Sequence, residues 1–234
     1  MKLNSYFELI YVINLPERLD RRREMQQQLK LAALKADFFP ATRVSEAGDW
    51  PSVGARGCYQ SHLAILKEAL QSQAHRVMVL EDDLDFSPRL KMFETELLDK
   101  IALSDWDILY LGHVEPLPDQ NRLELVPSSG PIMTAHFYAV NARILQRLVT
   151  FLELVQSRPA GDPLGGPQHY DGALWMFRQQ NPDVKAVIVL PSLGFQRSSR
   201  SDICVGWYDR IPLIPNILNS ARRLRRFVLS SVKG

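Results

Sequence analysis

Short apolar runs alternate along this chain with longer stretches in which apolar residues recur every three or four positions. The alternation predicts strands and helices in turn. Leu9 to Leu15 (LIYVINL) and Val77 to Leu80 are runs of branched residues without helical period, the mark of strands buried on both faces. Asp37 to Thr42, Asp107 to Gly112, Ala135 to Val140 and Lys185 to Leu190 read as further strands. Between them, Glu17 to Leu34 is helical in composition, with Leu19, Met25, Leu29 and Leu34 as inward positions. Cys58 to Gln71 carries Tyr59, Leu63, Leu66 and Leu70 at helical steps. Pro88 opens a helix to about Leu103, Asn141 to Val155 gathers Ile144, Leu145, Leu148, Leu152 and Val155 on one side, and Tyr170 to Gln180 forms another helix. Ser157 to His169 holds three prolines and three glycines, a mobile loop of the kind that covers active sites. This order predicts an α/β sandwich around a mostly parallel central sheet flanked by helices.

Length and composition narrow the picture. A chain of 234 residues suits one large domain with a short appendage, divided here into a body over 1–210 and a C-terminal helix over 211–234. In that last stretch Ile214, Ile217, Leu218, Ala221, Leu224 and Val228 form an apolar stripe beside Arg222, Arg223 and Arg226. Such a helix either packs on the body or lies peripherally on an anionic membrane. A net charge of +2 speaks against a nucleic-acid partner. The two cysteines, Cys58 and Cys204, are far apart and fit neither a disulfide scaffold nor a zinc finger. Asn4 and Glu8 interrupt the apolar N-terminal stretch, so it does not read as a signal peptide, and no run is long enough to span a bilayer. The expected location is the cytoplasm.

The chemistry concentrates at Val77 to Phe86, VMVLEDDLDF, where an apolar strand breaks into Glu81, Asp82, Asp83 and Asp85. Unpaired charges are costly to bury, so these carboxylates are expected to emerge at the sheet's edge, where open α/β sheets hold ligands. Two readings stand: a solvated acidic turn, or a site for a hard cation such as Mg²⁺, Mn²⁺ or Ca²⁺. Gly54-Ala55-Arg56-Gly57 reads as a loop whose free N–H groups, ahead of a helix, suit an anion, or as a plain tight turn. Arg18, Arg21, Arg22 and Arg23 crowd the start of a helix, either on a solvated face or around an anion.

Four segments in order, VINLPERLDRR (Val12 to Arg22), GARGCYQSHLAIL (Gly54 to Leu66), VLEDD (Val79 to Asp83) and FQRSSRSDI (Phe195 to Ile203), resemble glycosyltransferase family 25. That family includes bacterial lipooligosaccharide galactosyltransferases and animal collagen galactosyltransferases. The resemblance implies a GT-A fold, a UDP-sugar donor such as UDP-galactose, a glycan or lipid-linked saccharide acceptor, inversion at the anomeric carbon, and Mn²⁺ or Mg²⁺ at Glu81 and Asp83. It implies donor contacts from Asn14, Arg18, Arg21, Ser61, His62, Asp82, Gln196, Ser199 and Asp202. The general base would be Asp171, which as an acidic residue at a helix start also reads as a cap. His113 and His169 are candidates for a third metal ligand. A metal-dependent nucleotidyltransferase and a noncatalytic glycan-binding relative are the competing readings.

Overall fold

The structure, a computed structural model, describes residues 2–114 and 121–197. Seven strands form one sheet in the order β2-β1-β3-β7-β5-β8-β6: β1 is Leu9–Asn14, β2 Asp37–Pro40, β3 Arg76–Glu81, β5 Ile108–Gly112, β6 Glu124–Pro127, β7 Phe137–Asn141 and β8 Ala186–Leu190. Five strands run one way. β7 lies antiparallel between β3 and β5, and β6 lies antiparallel on β8. A second, two-stranded sheet pairs β4 (Leu84–Phe86) with β9 (Gly194–Gln196). The expected α/β architecture with a mostly parallel sheet is present.

Successive residues of a strand face opposite sides, and the cores follow that period. Tyr11, Val77, Val79, Tyr110, Tyr138 and Ile188 pack under α3 (Val53–Gln71), α5 (Ala142–Ser157) and α6 (Tyr170–Gln180). Ile10, Val12, Met78, Leu80, Leu109 and Phe137 face α1 (Leu3–Tyr6), α2 (Leu19–Ala32) and α4 (Pro88–Leu103). With helices on both faces, the central strands are buried throughout, which is why they read as continuous apolar runs.

Some boundaries differ from expectation. Leu19 is 53% exposed rather than inward, because it is the first residue of α2 and precedes the face that Met25 and Leu29 bury. Gly54 to Gly57 is helix, not loop. Ser52 caps α3 by accepting a hydrogen bond from the Ala55 amide, which starts the helix earlier and engages one of the N–H groups an anion would have used. A Cβ on Gly57 would lie 2.8 Å from the Thr42 carbonyl, so the glycine admits a close crossing of helix and loop. Gly194–Gln196 forms the short strand β9. The C-terminal helix expected over 211–234 lies outside the described residues.

Candidate functional site: carboxylates at the carboxyl edge of the sheet

The strand directions bring several polar segments to one edge. β1 ends at Asn14, β3 at Glu81, β5 at Gly112 just before His113, and β8 leads through Ser192 toward Gln196. His136, just ahead of the reversed strand β7, reaches the same edge, and its carbonyl accepts from the Glu81 amide. In α/β sheets this edge is where ligands bind.

The carboxylates do not emerge into solvent as expected. Asp82 and Asp83 are only 6% and 7% exposed. Burial is tolerated because partners were brought to them. Asn14 donates to one oxygen of Asp82 at 2.7 Å, and Arg21, from the first turn of α2, donates to the other at 2.9 Å. The same guanidinium lies 3.7 Å from Asp83. Across the small sheet, Leu84 is in register with Gln196, whose amide approaches Glu81 at 3.2 Å and Asp83 at 3.4 Å. Glu81 and Asp83 therefore converge on one side-chain nitrogen.

Their electrostatics follow from burial and like charge. Burial, then the charge of Glu81, pushes the Asp83 carboxyl up to about 7, against the opposing pull of Arg21 and the Gln196 hydrogen bond. Glu81 is raised as well, chiefly by burial and then by Asp82 and Asp171, while His136 and Arg21 oppose the shift. Two oxygen-donor groups held close at this cost fit a hard divalent cation, whose charge would reverse both shifts.

On the other side of Glu81 stands a second group. Cys58 and His62, one turn apart on α3, present Sγ and a ring nitrogen toward the Glu81 carboxylate, and all three ligand atoms lie within 4.8 Å of one another. His62 is fully buried. Its Nδ1 bonds the Tyr138 hydroxyl at 3.0 Å, Tyr138 bonds the Tyr170 hydroxyl at 2.8 Å, and the Tyr170 ring stacks on the imidazole at 4.1 Å. Burial lowers the His62 pKa to about 3, so the ring is neutral and its 3.5 Å approach to Glu81 is not an ion pair. Burial and then the charges of Glu81, Asp171 and Asp83 raise the Cys58 thiol.

Asp171 follows Tyr170 in the first turn of α6. It is not the cap, which is His169, and its carboxylate accepts from the Gly172 amide at 2.8 Å. Its charge is felt at Cys58, His62 and Glu81. Other expected residues have partners of their own. Ser61 donates to the Gly57 carbonyl and accepts from the Thr42 amide, clasping helix to loop. The Arg18 guanidinium bonds Asp20. The His113 ring bonds the Val189 carbonyl, and His169 is exposed. Ser199 and Asp202 lie outside the described residues. Cys58, His136, Tyr138 and Tyr170 were not foreseen at the site. The one signal for Cys58 was its four-residue spacing from His62, which puts both on one helix face.

The fold is an α/β sheet with buried, partly neutralised carboxylates at its carboxyl edge, the edge at which sheets of this class hold ligands. Part of the chain is similar to glycosyltransferase family 25: the sequence model described as "Glycosyltransferase family 25 (LPS biosynthesis protein)" matches residues 45–150. Human procollagen galactosyltransferase 2 is 29% identical over 172 residues, covering 61% of this chain and 27% of that protein. The human inactive glycosyltransferase 25 family member 3 is 26% identical over 177 residues, covering 65% of this chain and 29% of that one. This chain thus spans about a quarter of the length of the curated relatives it matches. Among solved structures, a glycosyltransferase involved in glycosylation of the major capsid of PBCV-1 aligns with a TM-score of 0.49 and 13% identity, over 78% of this chain and 81% of that one. No helix among the described residues is long and apolar enough to cross a membrane.

Proposed function

We propose that this protein is a metal-assisted, inverting glycosyltransferase of GT-A type that moves galactose from UDP-galactose to a hydroxyl of a glycan or lipid-linked saccharide. The observation that carries the reading is the convergence of Glu81 and Asp83 on the Gln196 amide beside the Asn14–Asp82–Arg21 clamp. Glu81 and Asp83 would hold Mn²⁺ or Mg²⁺, which as a Lewis acid would stabilise the charge growing on the departing diphosphate. Asp82, locked by Asn14 and Arg21, is presented rigidly for a hydroxyl of the donor. Arg21 and Arg18 bring positive charge to the donor's side of the site. Asp171 takes the proton of the acceptor hydroxyl as its oxygen bonds to the anomeric carbon from the face opposite the leaving UDP. The acceptor O–H and the bond from the anomeric carbon to UDP break, the Asp171 O–H and the new glycosidic bond form, and the configuration inverts.

The reading places the enzyme in the cytoplasm, with the arginine-flanked stripe of 211–234 as a contact to the inner membrane face. The similarity to a relative named inactive keeps a second outcome in view, a glycan-binding protein without transfer. Calorimetric titration with UDP and UDP-galactose, with and without Mn²⁺, on the wild type and Asp83→Asn decides among them. Metal-dependent UDP-sugar binding lost in the variant, with galactose transfer to a saccharide acceptor, is the expected result. Metal-dependent binding of nucleoside triphosphates alone would point to nucleotidyl transfer, and no nucleotide binding to the noncatalytic reading.

A further inference from the structure

The carboxylate pair accounts for one side of Glu81 and leaves the other unexplained. There a thiol, an imidazole and a carboxylate oxygen meet within 4.8 Å. His62 is the informative member. Its ring is completely buried, yet Nε2 has no hydrogen-bond partner. A neutral imidazole has one N–H and one lone pair. An Nε2–H facing a carboxylate would be expected to close to a normal hydrogen bond near 2.9 Å, whereas the Glu81 oxygen stays at 3.5 Å. The alternative tautomer explains the geometry. In that tautomer Nδ1–H would donate to the Tyr138 hydroxyl 3.0 Å away, Tyr138 would donate on to Tyr170, and Nε2 would keep a bare lone pair on the side of Glu81 and Cys58. An imidazole whose outer nitrogen is committed to a hydrogen bond while the inner one is bare is the usual arrangement of a metal-ligating histidine.

We propose that Cys58, His62 and Glu81 form a binding site for a thiophilic divalent cation of the Zn²⁺ class, distinct from the hard-cation pair Glu81 and Asp83 and joined to it through the two oxygens of Glu81. The donor set separates the two sites. Sulfur and nitrogen favour Zn²⁺, while carboxylates alone favour Mg²⁺ or Mn²⁺. Zinc sits about 2.3 Å from sulfur and about 2.0 Å from nitrogen, so its ligands stand roughly 3.5 Å apart. From 4.8 Å the triad closes by rotation of Cys58 and Glu81, while stacking on Tyr170 holds His62 in place. On binding, Cys58 gives its proton to solvent. Three protein ligands leave the fourth position to water, the arrangement of an open rather than a sealed zinc site.

The site does not depend on sugar transfer, and the test keeps the two readings apart. The full-length chain is titrated with Co²⁺, a spectroscopic stand-in for Zn²⁺, and the near-ultraviolet band of thiolate coordination is followed. One equivalent is expected to raise the band in the wild type, in Cys204→Ser and in Asp83→Asn, and not in Cys58→Ser. Asp83→Asn should lose Mn²⁺-dependent UDP binding with the band intact. No band in the wild type, or a band that survives Cys58→Ser, overturns the proposal. Because Cys58→Ser could misfold, a second measurement uses the unsubstituted protein: stoichiometric Zn²⁺ should slow alkylation of Cys58, read by peptide mass, by an order of magnitude or more, and EDTA should restore it. Unchanged alkylation with Zn²⁺ also overturns the site.

Discussion

Two adjacent aspartates are buried to nearly the same extent and meet different fates. Asp82 has both oxygens satisfied, one by Asn14 and one by Arg21. Asp83 faces Glu81, and burial and that neighbour hold its carboxyl up to about 7. Removing Arg21 strands Asp82, and breaking a buried ion pair from one side costs about 3–5 kcal/mol. With the Arg21 and Asp82 side chains 12% and 9% exposed, the pair qualifies. Arg21→Ala is therefore expected to lose about 3 kcal/mol or more in urea unfolding, and a loss under 1 kcal/mol, the range of exposed pairs, would show that the clamp is solvated. The raised Asp83 carboxyl gives a pH prediction with a definite sign. The fold binds its proton more tightly than the unfolded chain does. The resulting stability is complete below the ordinary value of 3.8 and is lost as pH rises through about 7. Melting in EDTA should fall across that window, and Mn²⁺ should flatten the fall by favouring the ionised carboxyl. A profile equally steep with and without Mn²⁺ would count against Asp83 as a ligand. These fates were not legible in the run EDD, which shows three carboxylates at one strand end but not that an arginine 61 residues earlier in the chain closes on one of them.

At the scale of elements, the helix α3 and the small sheet position the site. Ser52 starts α3, and Ser52→Ala is expected to cost about 1 kcal/mol in chemical denaturation. An unchanged midpoint would mean that Gly54 to Gly57 needs no cap. The β4–β9 pairing carries Gln196 to the carboxylates, and Gly194 keeps it close: a Cβ there would meet Leu84 Cδ1 at 2.6 Å and Phe137 Cδ1 at 2.9 Å. Gly194→Ala should push β9 outward and weaken Mn²⁺ binding, although residue 194 holds no ligand. Titration calorimetry that finds wild-type Mn²⁺ affinity in a folded variant would dismiss this coupling. Helices α5 and α6 were readable to within about two residues because their apolar stripes are long and regular. β9 was not, since three residues with Phe195 exposed carry no pattern of their own and take strand form from β4.

At the scale of the whole molecule, one sheet divides two cores, and β3 contributes to both. Leu80 is fully buried against the α2 and α4 side. Leu80→Ala is expected to cost about 3 kcal/mol and to lower Tm by roughly 2–4 °C for each kcal/mol. Circular dichroism and tryptophan fluorescence should report the same transition, and separate transitions would mean that the two faces unfold independently. What the sequence determined by itself was local: the alternation of apolar runs and amphipathic stretches, hence the α/β class, and the gathering of carboxylates at the end of one strand. Backbone periodicity acts over a few residues, so it leaves a readable trace. The tertiary structure alone decided that β7 runs backwards between β3 and β5, that Asp82 and Asp83 are covered, and that Cys58 and His62 meet Glu81 across a strand-helix packing. Each of these depends on which distant groups arrive to satisfy a buried charge or lone pair. That balance is struck between residues far apart in the chain, and no single stretch contains it.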